Sequence, residues 1–308
     1  MISIIVPVFN EEKYIEKFLQ FITKNCMYKY ELILVDGRSE DKTIRIINDY
    51  INVNNVKNFI LIDNPNRYVS YSLNKAVNIS KYEIIIRMDV HTKYSNNYFD
   101  SIIETFNNTN ADIVGGPTDT IYNGHIQESI AYCYSHIFGM GGGKVHDMKF
   151  NGFTNGVTFG AFKKYVFENN FFDEDLIRNQ DDEFFSRCNN LGYKIYQSSK
   201  IKLFYSPRRN FFALSKQYFQ YGYYKPMALK KVKNSFRLRH LVPSIFLIYF
   251  ITSLLFYQIF LLIYFIPLLL FSFINNKKIS IKILNIISFA VMHISYGLGF
   301  IFGLKKII

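Results

Sequence analysis

The chain has 308 residues and a mass of 36.3 kDa, room for about two domains of ordinary size. Hydrophobic residues make up 49%, aromatics 18% and charged residues 19%, which excludes a disordered chain, where aromatics are few and charge is far denser. The formal charge of +12 is unevenly placed: residues 1–183 hold 18 basic and 24 acidic side chains, while residues 184–308 hold 18 basic and none acidic, so the second half suits an anionic partner, either nucleic acid or membrane.

The first half reads as alternating strands and helices. Ile2–Val8 is a mostly apolar run, as in a strand buried on both faces. Residues 11–24 place Tyr14, Ile15, Phe18, Leu19 and Ile22 at helical spacing. Strands are then expected over 31–36, 57–62, 82–87 and 111–114, with helices over 41–51, 68–80 and 96–107. Such alternation implies an α/β fold, a parallel sheet covered by helices, with ligands bound beyond the carboxyl ends of the strands. No leader peptide is expected, because the opening apolar run stops at Pro7 and has neither a basic flank nor a small-residue cleavage site.

Polar residues fall at those strand ends. Pro7, Asn10 and Glu11 follow the first strand. Asp36, Arg38 and Ser39 follow the second, and Asp89 and His91 follow the fourth. A helix cap would account for Asn10 or Ser39 taken singly, but not for three clusters together. Asp89 and His91 lie two apart, so both side chains point the same way if the segment stays extended. An oxygen ligand with an imidazole suits Mn²⁺ or Mg²⁺ bridging to a diphosphate. Asp36 would then be free to accept hydrogen bonds from a base or ribose. No Gly-x-Gly-x-x-Gly follows the first strand and no P-loop motif occurs, which argues against a dinucleotide oxidoreductase and a P-loop NTPase.

Three cysteines (Cys26, Cys133, Cys188) form no Cys-x-x-Cys pair and fit a reduced compartment as buried small hydrophobes.

The tail is apolar. Residues 241–274 contain no charged residue and no His, and a second apolar run covers 283–304 with Asn285 and His293 as its main interruptions. A spanning helix needs about 20 residues, so the tail is expected to be membrane-embedded rather than a buried soluble hairpin. As one helix, 241–274 would reach about 51 Å, too long for a bilayer core of about 30 Å unless it tilts. A hairpin turning near Gln258 or a break at Pro267 would resolve this, giving two or three spans in all. Lys225, Lys230, Lys231, Lys233, Arg237 and Arg239 precede the first span. Basic residues there mark the cytoplasmic side, so the protein is expected to be a multi-pass cell-membrane protein with its N-terminal part in the cytoplasm. That placement also assigns the positive half to membrane and not to nucleic acid. The basic, aromatic stretch 208–240 is expected to lie in the membrane interface, with core packing of its aromatics as the other reading.

Several segments, in order, resemble the family-2 glycosyltransferases, whose fold is of the GT-A type. Ile-Ile-Val-Pro-Val-Phe-Asn-Glu-Glu (4–12) looks like the family's opening strand, and Glu-Leu-Ile-Leu-Val-Asp-Gly-Arg-Ser-Glu-Asp-Lys-Thr (31–43) like its second. Arg-Met-Asp-Val-His (87–91) looks like its metal-binding Asp-x-Asp, and Asn-Gln-Asp-Asp-Glu-Phe-Phe-Ser-Arg (179–187) like its Glu-Asp motif. Val-Gly-Gly-Pro (114–117), the Gly-rich 139–143, Gln-Tyr-Phe-Gln-Tyr-Gly (217–222) and His-x-Ser-Tyr-Gly-x-Gly-Phe (293–300) are similar to the succinoglycan-type exopolysaccharide enzymes.

The resemblance implies a GT-A domain over 1–207, interfacial helices over 208–240 and a transmembrane region over 241–308. It implies inverting transfer of a sugar from a nucleotide-sugar to a lipid-linked (polyprenyl) acceptor in surface polysaccharide synthesis, with Mn²⁺ or Mg²⁺ held by Asp89 and His91. Nucleotide-sugar contacts are implied for Pro7, Asn10, Glu11, Asp36, Arg38, Ser39, Arg67 and Asp89, and the general base for Asp181. Asp182, Arg178 and Gln217 are weaker candidates for the acceptor or its phosphates. His91 stands where the family has a second Asp, and Gln180 where it has Glu. Gln217 is followed by Tyr-Phe-Gln-Tyr and the chain has no Trp, unlike the Gln-x-x-Arg-Trp of processive synthases. Two other readings are direct transfer to polyprenyl phosphate and a non-catalytic membrane scaffold.

Overall fold

The structure, a computed structural model, describes residues 1–140, 144–232, 240–245, 247–248, 262–275 and 277–306. Strand β1 (Ile2–Val8) is buried along nearly its whole length. It pairs in parallel with β2 (Tyr30–Asp36) from Ile2↔Tyr30 to Val8↔Asp36, and on its other edge with β4 (Ile84–Arg87) from Ile2↔Ile84 to Ile5↔Arg87. β3 (Phe59–Asp63) extends the parallel set beyond β2. Three helices complete these crossovers: α1 (Ile15–Asn25), α2 (Thr43–Asn54) and α3 (Val69–Ile79). Of the predicted stripe, Ile15, Phe18, Leu19 and Ile22 face the core, while Tyr14 stands just before the helix and is exposed. α2 ends at Asn55 in the left-handed region, which Asn tolerates better than most residues.

The sheet is mixed, not parallel throughout. Beyond β5 (Lys93–Tyr94) and α4 (Tyr98–Asn108) come β6 (Ile113–Gly116) and β7 (Thr118–Thr120). The later strands are β8 (Gly152–Phe153), β9 (Thr158–Lys163), β10 (Ile195–Gln197) and β11 (Leu203–Tyr205). The eight-stranded order is β3-β2-β1-β4-β9-β6-β10-β8, and β5, β11 and β7 form a smaller sheet. β9 runs antiparallel to both β4 and β6. The expected mostly parallel sheet holds across β1 to β4 and gives way at β9, because its chain does not arrive by a strand–helix–strand crossover. It arrives after a long excursion from β7 that ends in the short β8, and parallel pairing needs a crossover that brings the chain back in the same direction.

That excursion also moves the domain boundary. The chain divides into one unit of residues 1–119 and 147–205 and another of 120–146 and 206–308. The expected division at 207 is thus crossed by residues 120–146, which belong with the C-terminal helices.

The helical unit contains α5 (His125–Ser135), α6 (Ile137–Met140), α8 (Phe211–Lys231), α9 (Leu262–Phe273) and α10 (Ile279–Leu304). α7 (Gln180–Asn190) belongs to the sheet unit. α8 begins with Asn210, whose Oδ1 accepts the Ala213 amide at 2.8 Å, an N-cap. α8 and α10 meet at glycines: a Cβ on Gly222 would fall 2.1 Å from the Tyr296 carbonyl, and one on Gly299 or Gly303 2.1 Å from the carbonyl of Phe219 or Tyr223. Tyr218 is buried while Phe212 is 82% exposed, so the aromatics of 208–232 divide between packing and exposure. Among the described residues, α10 is the one helix long and apolar enough to cross a membrane; α9 is shorter. The expected turn near Gln258, residues 249–261 of the 241–274 run, Gly141–Gly143, Lys233, Arg237 and Arg239 lie outside the described residues.

Candidate active site

The carboxyl ends of β1, β2 and β3 are tied by a ladder of local bonds. The Gly37 amide donates to the Val8 carbonyl at 2.8 Å and the Asn64 amide to the Asp36 carbonyl at 2.7 Å. The Asn10 amide donates to Ser39 Oγ at 2.8 Å, and the Glu40 amide returns to Asn10 Oδ1 at 2.8 Å. The Glu11 amide donates to Thr43 Oγ1 at 2.7 Å, and the Glu12 amide to Asp41 Oδ2 at 3.1 Å. Asn10, Arg38 and Arg67, one after each strand, all adopt positive φ, at 54°, 61° and 64°. For non-glycine residues this is uncommon, and three together mark a loop cluster fixed by its surroundings. Pro7 lies where β1 has already lost its β4 partner, since that pairing ends at Ile5↔Arg87, so its missing amide costs no bond on that edge.

Asp36 is buried and is not free in the sense expected. Its Oδ1 accepts from Ser39 Oγ at 2.6 Å and its Oδ2 from the Ser39 amide at 2.9 Å. A carboxylate has about four lone-pair sites, so capacity remains, but half of it already shapes the loop. Arg38 pairs with Asp63 at 3.4 Å, and Arg67 with Glu40 at 2.8 Å, its guanidinium 5.9 Å from the Phe9 ring centre. Both pairs are exposed and worth little to stability.

The β4 end carries the denser charge. The segment after Arg87 does not stay extended: it turns at Val90 and His91, and the Thr92 amide reaches back to the Asp89 carbonyl at 3.3 Å. The condition for Asp89 and His91 to point the same way is therefore not met. His91 Nδ1 lies 2.8 Å from Glu11 Oε1, joining the β4 end to the β1 end. The Asp89 amide donates to Tyr94 Oη at 2.7 Å. Asp89 Oδ1 is sealed from solvent and has no hydrogen-bond partner. Burial pushes the Asp89 carboxyl above the usual carboxylate range, against the pull of Arg87 and His91. Among the described residues no group of three or more His, Cys, Asp or Glu is placed to hold a metal ion.

Asp181 stands in the first turn of α7 with Asp182 and Glu183, where the helix dipole favours negative charge. It pairs with Arg87, Nη1 to Oδ1. Arg87 is 4% exposed along its side chain and Asp181 37%. Burial opposes the Arg87 charge, but Asp181 and then Asp89 outweigh it and hold the guanidinium charged. Asp182 and Arg178 are exposed, and Gln180 is buried. Gln217 lies in the helical unit, where its Oε1 accepts from Tyr134 Oη at 3.1 Å and Arg208 Nε at 3.2 Å.

The model of glycosyl transferase family 2 matches residues 3–171, more than half of the chain. The chain belongs to glycosyl transferase family 2. A dolichyl N-acetyl-alpha-D-glucosaminyl phosphate 3-beta-D-2,3-diacetamido-2,3-dideoxy-beta-D-glucuronosyltransferase of Methanococcus voltae is 29% identical over 239 residues, 75% of this chain and 74% of that protein. The succinoglycan biosynthesis protein ExoA of Rhizobium meliloti is 27% identical over 248 residues, 78% and 73% of the two chains. Among solved structures, the mannosyltransferase of Pyrobaculum calidifontis in complex with GDP-Man and Mn²⁺ superposes with a TM-score of 0.65 at 13% identity, over 99% of this chain and 87% of that one. The S. aureus TarS structure gives 0.54 at 13% identity over 99% and 91%. These likenesses show a GT-A-like α/β fold with a mixed sheet, in a glycosyltransferase.

Reading the sequence missed Arg87 as a partner of Asp181, Glu11 as a partner of His91, and the Arg38–Asp63 and Arg67–Glu40 pairs. One signal was present: Arg87 is a lone cation at the end of an otherwise apolar strand, and such a residue needs a counter-charge.

Proposed function

We propose that the protein is a membrane-anchored inverting glycosyltransferase that moves a sugar from a nucleotide-sugar to a hydroxyl of a lipid-linked acceptor in surface polysaccharide synthesis. The observation that carries this reading is the Asp181 carboxylate, part-exposed at the first turn of α7 and held by a buried arginine from the β4 end. There Asp181 accepts the proton of the attacking hydroxyl as general base. Asp36, Ser39 and Asn10 order the loops that hold the nucleotide, with Pro7, Glu11, Arg38 and Arg67 around them. Asp89 fits a divalent cation, because its buried Oδ1 lacks a partner and has the hard-oxygen character Mn²⁺ or Mg²⁺ takes; His91 stands two residues further on, at the end of the same turn. When bound, such an ion neutralises charge on a leaving diphosphate. The remaining ligands would come from the diphosphate and water, in keeping with the absence of a three-residue cluster among the described residues.

The relatives support the acceptor class. The Methanococcus voltae protein is named for transfer to a sugar on a dolichyl phosphate, and the Rhizobium meliloti protein for succinoglycan synthesis. The apolar helix α10 and the charge of the second half support the anchor, and the basic residues before the first apolar run support a cytoplasmic sheet unit. Direct transfer to polyprenyl phosphate is the rival enzyme reading. A phosphate oxygen is already ionised near pH 7, so that reaction leaves Asp181 without a proton to take.

The test is a donor screen on detergent-solubilised protein, following nucleoside diphosphate release with Mn²⁺ or Mg²⁺, with and without a membrane lipid extract. Lipid-dependent release that falls steeply, to a residual rate, in Asp181→Asn supports the hydroxyl-acceptor reading. Release onto polyprenyl phosphate that survives Asp181→Asn moves the assignment to the phosphate acceptor. Neither release nor binding of a nucleoside diphosphate with metal present leaves the non-catalytic scaffold.

A further inference from the structure

Arg87 is buried at the end of β4, yet nothing in the packing of the sheet requires a cation there. Taking a guanidinium out of water is costly, and an apolar residue of similar volume commonly serves a core at least as well. The fold nevertheless builds a cage for it. The guanidinium carbon lies 5.3 Å from the Phe159 ring centre and 5.8 Å from that of Phe172. Phe159 takes a φ of 58°, an outlier for a bulky side chain, so local strain is accepted where this ring faces the cation. Phe172 is fixed from its other side by Asn74, which accepts the Phe172 amide at 2.9 Å and donates to its carbonyl at 2.8 Å. Phe172 also stacks on Phe184 of α7 at 4.3 Å. Asn179, immediately before α7, is a second positive-φ residue, at 62°, and it sets the entry of the helix that carries Asp181.

The cage, the strained ring and the helix entry converge on one carboxylate. We propose that Arg87 is the positioning residue of the reaction, holding the Asp181 carboxylate by one oxygen so that the other faces the acceptor hydroxyl. This rests on the reading of Asp181 as general base. Arg87 also decides between neighbouring carboxylates. Asp181 and Asp182 point about 100° apart on the helix, and Arg87 pairs with Asp181. A rigid guanidinium fork between two rings fixes orientation as a lysine ammonium cannot, because the ammonium is a point charge on a flexible stem.

The experiment compares Arg87→Met, Arg87→Lys, Asp181→Asn and the two double variants in the full-length, detergent-solubilised chain. The rate is nucleoside diphosphate release from UDP-glucose, UDP-N-acetylglucosamine or GDP-mannose with Mn²⁺ and membrane lipid extract, alongside donor KM, binding of UDP and GDP, and melting temperature. A displacement of about 1 Å at a reacting group costs about 100-fold. Arg87→Met is therefore expected to lose about 100-fold in kcat with donor KM and nucleotide binding within about twofold, and Arg87→Lys to recover only part of that. In the Asp181→Asn background neither change should lower the rate further, because residues acting as one unit are not additive. A full additional loss in that background, or a loss confined to donor KM, overturns the proposal. So does Arg87→Lys at wild-type kcat. If Arg87→Met does not fold, Arg87→Lys and its double variant decide alone. Wild-type release that continues undiminished in Asp181→Asn, or a wild type that neither releases from these donors nor binds UDP or GDP, overturns the general-base reading itself and takes the Arg87 role with it.

Discussion

Neighbouring side chains of one chemical type receive different roles from their surroundings. Asp181 and Asp182 are adjacent carboxylates, but Asp181 carries the Arg87 pair and Asp182 is exposed. Asp182→Asn is expected to keep transfer within about threefold of wild type, measured beside the impaired Asp181→Asn, since Arg87 orients Asp181 and not Asp182. Ser39 supplies both donors that Asp36 accepts. Ser39→Ala removes one charge-assisted bond, worth about 1.5–3 kcal/mol, so nucleoside diphosphate affinity measured by calorimetry should fall about tenfold or more. The cysteines follow the same logic. Burial pushes the Cys26 and Cys188 thiols up to about 11 from an ordinary 9.0. A raised acid binds its proton more tightly when folded, so its contribution to stability is complete below about pH 9 and is lost as the pH climbs toward 11. Melting temperature should fall over that window, and thiol-specific reagents should label neither residue at pH 8 until the protein is denatured.

At the scale of elements, close approach decides more than propensity does. β6 ends in Gly115 and Gly116, and a Cβ on Gly116 would fall 1.5 Å from the Ile201 carbonyl oxygen, a contact no side chain can relieve. Gly116→Ala is expected to destabilise the sheet unit by about 3 kcal/mol or more, read as a lowered urea midpoint by circular dichroism. β9 follows the same rule of fit. It carries the positive-φ residues Phe159 and Gly160 and inserts antiparallel between β4 and β6. Its short Thr-Phe-Gly-Ala-Phe-Lys sequence has no period strong enough to declare a central strand.

At the scale of the molecule, composition and charge order the chain from a mixed α/β unit to a basic, apolar helical one. If α10 spans a bilayer, the full-length protein should stay with the membrane pellet after an alkaline carbonate wash and after 1 M salt, which screens charges beyond about 3 Å. Release by either wash would reduce the attachment to a surface contact.

The chain's own residues determined most of the sheet unit. Apolar runs and helical spacing located β1 to β4 and α1 to α4, because burial on both faces and a 3.6-residue period leave a direct trace in one dimension. The polar ends of those strands, with Asp36 and Asp89, were legible for the same reason, and so was the apolar tail; Asp181, on α7, was reached only through the resemblance. Only the tertiary structure decided the rest. The antiparallel entry of β9, the transfer of residues 120–146 to the helical unit and the pairing of His91 with Glu11 all depend on segments far apart in sequence. Arg87 and Asp181 are separated by 94 residues, and no local pattern could have joined them. Their pairing follows from burial: a guanidinium enclosed by the sheet must find a carboxylate, and the fold brings Asp181.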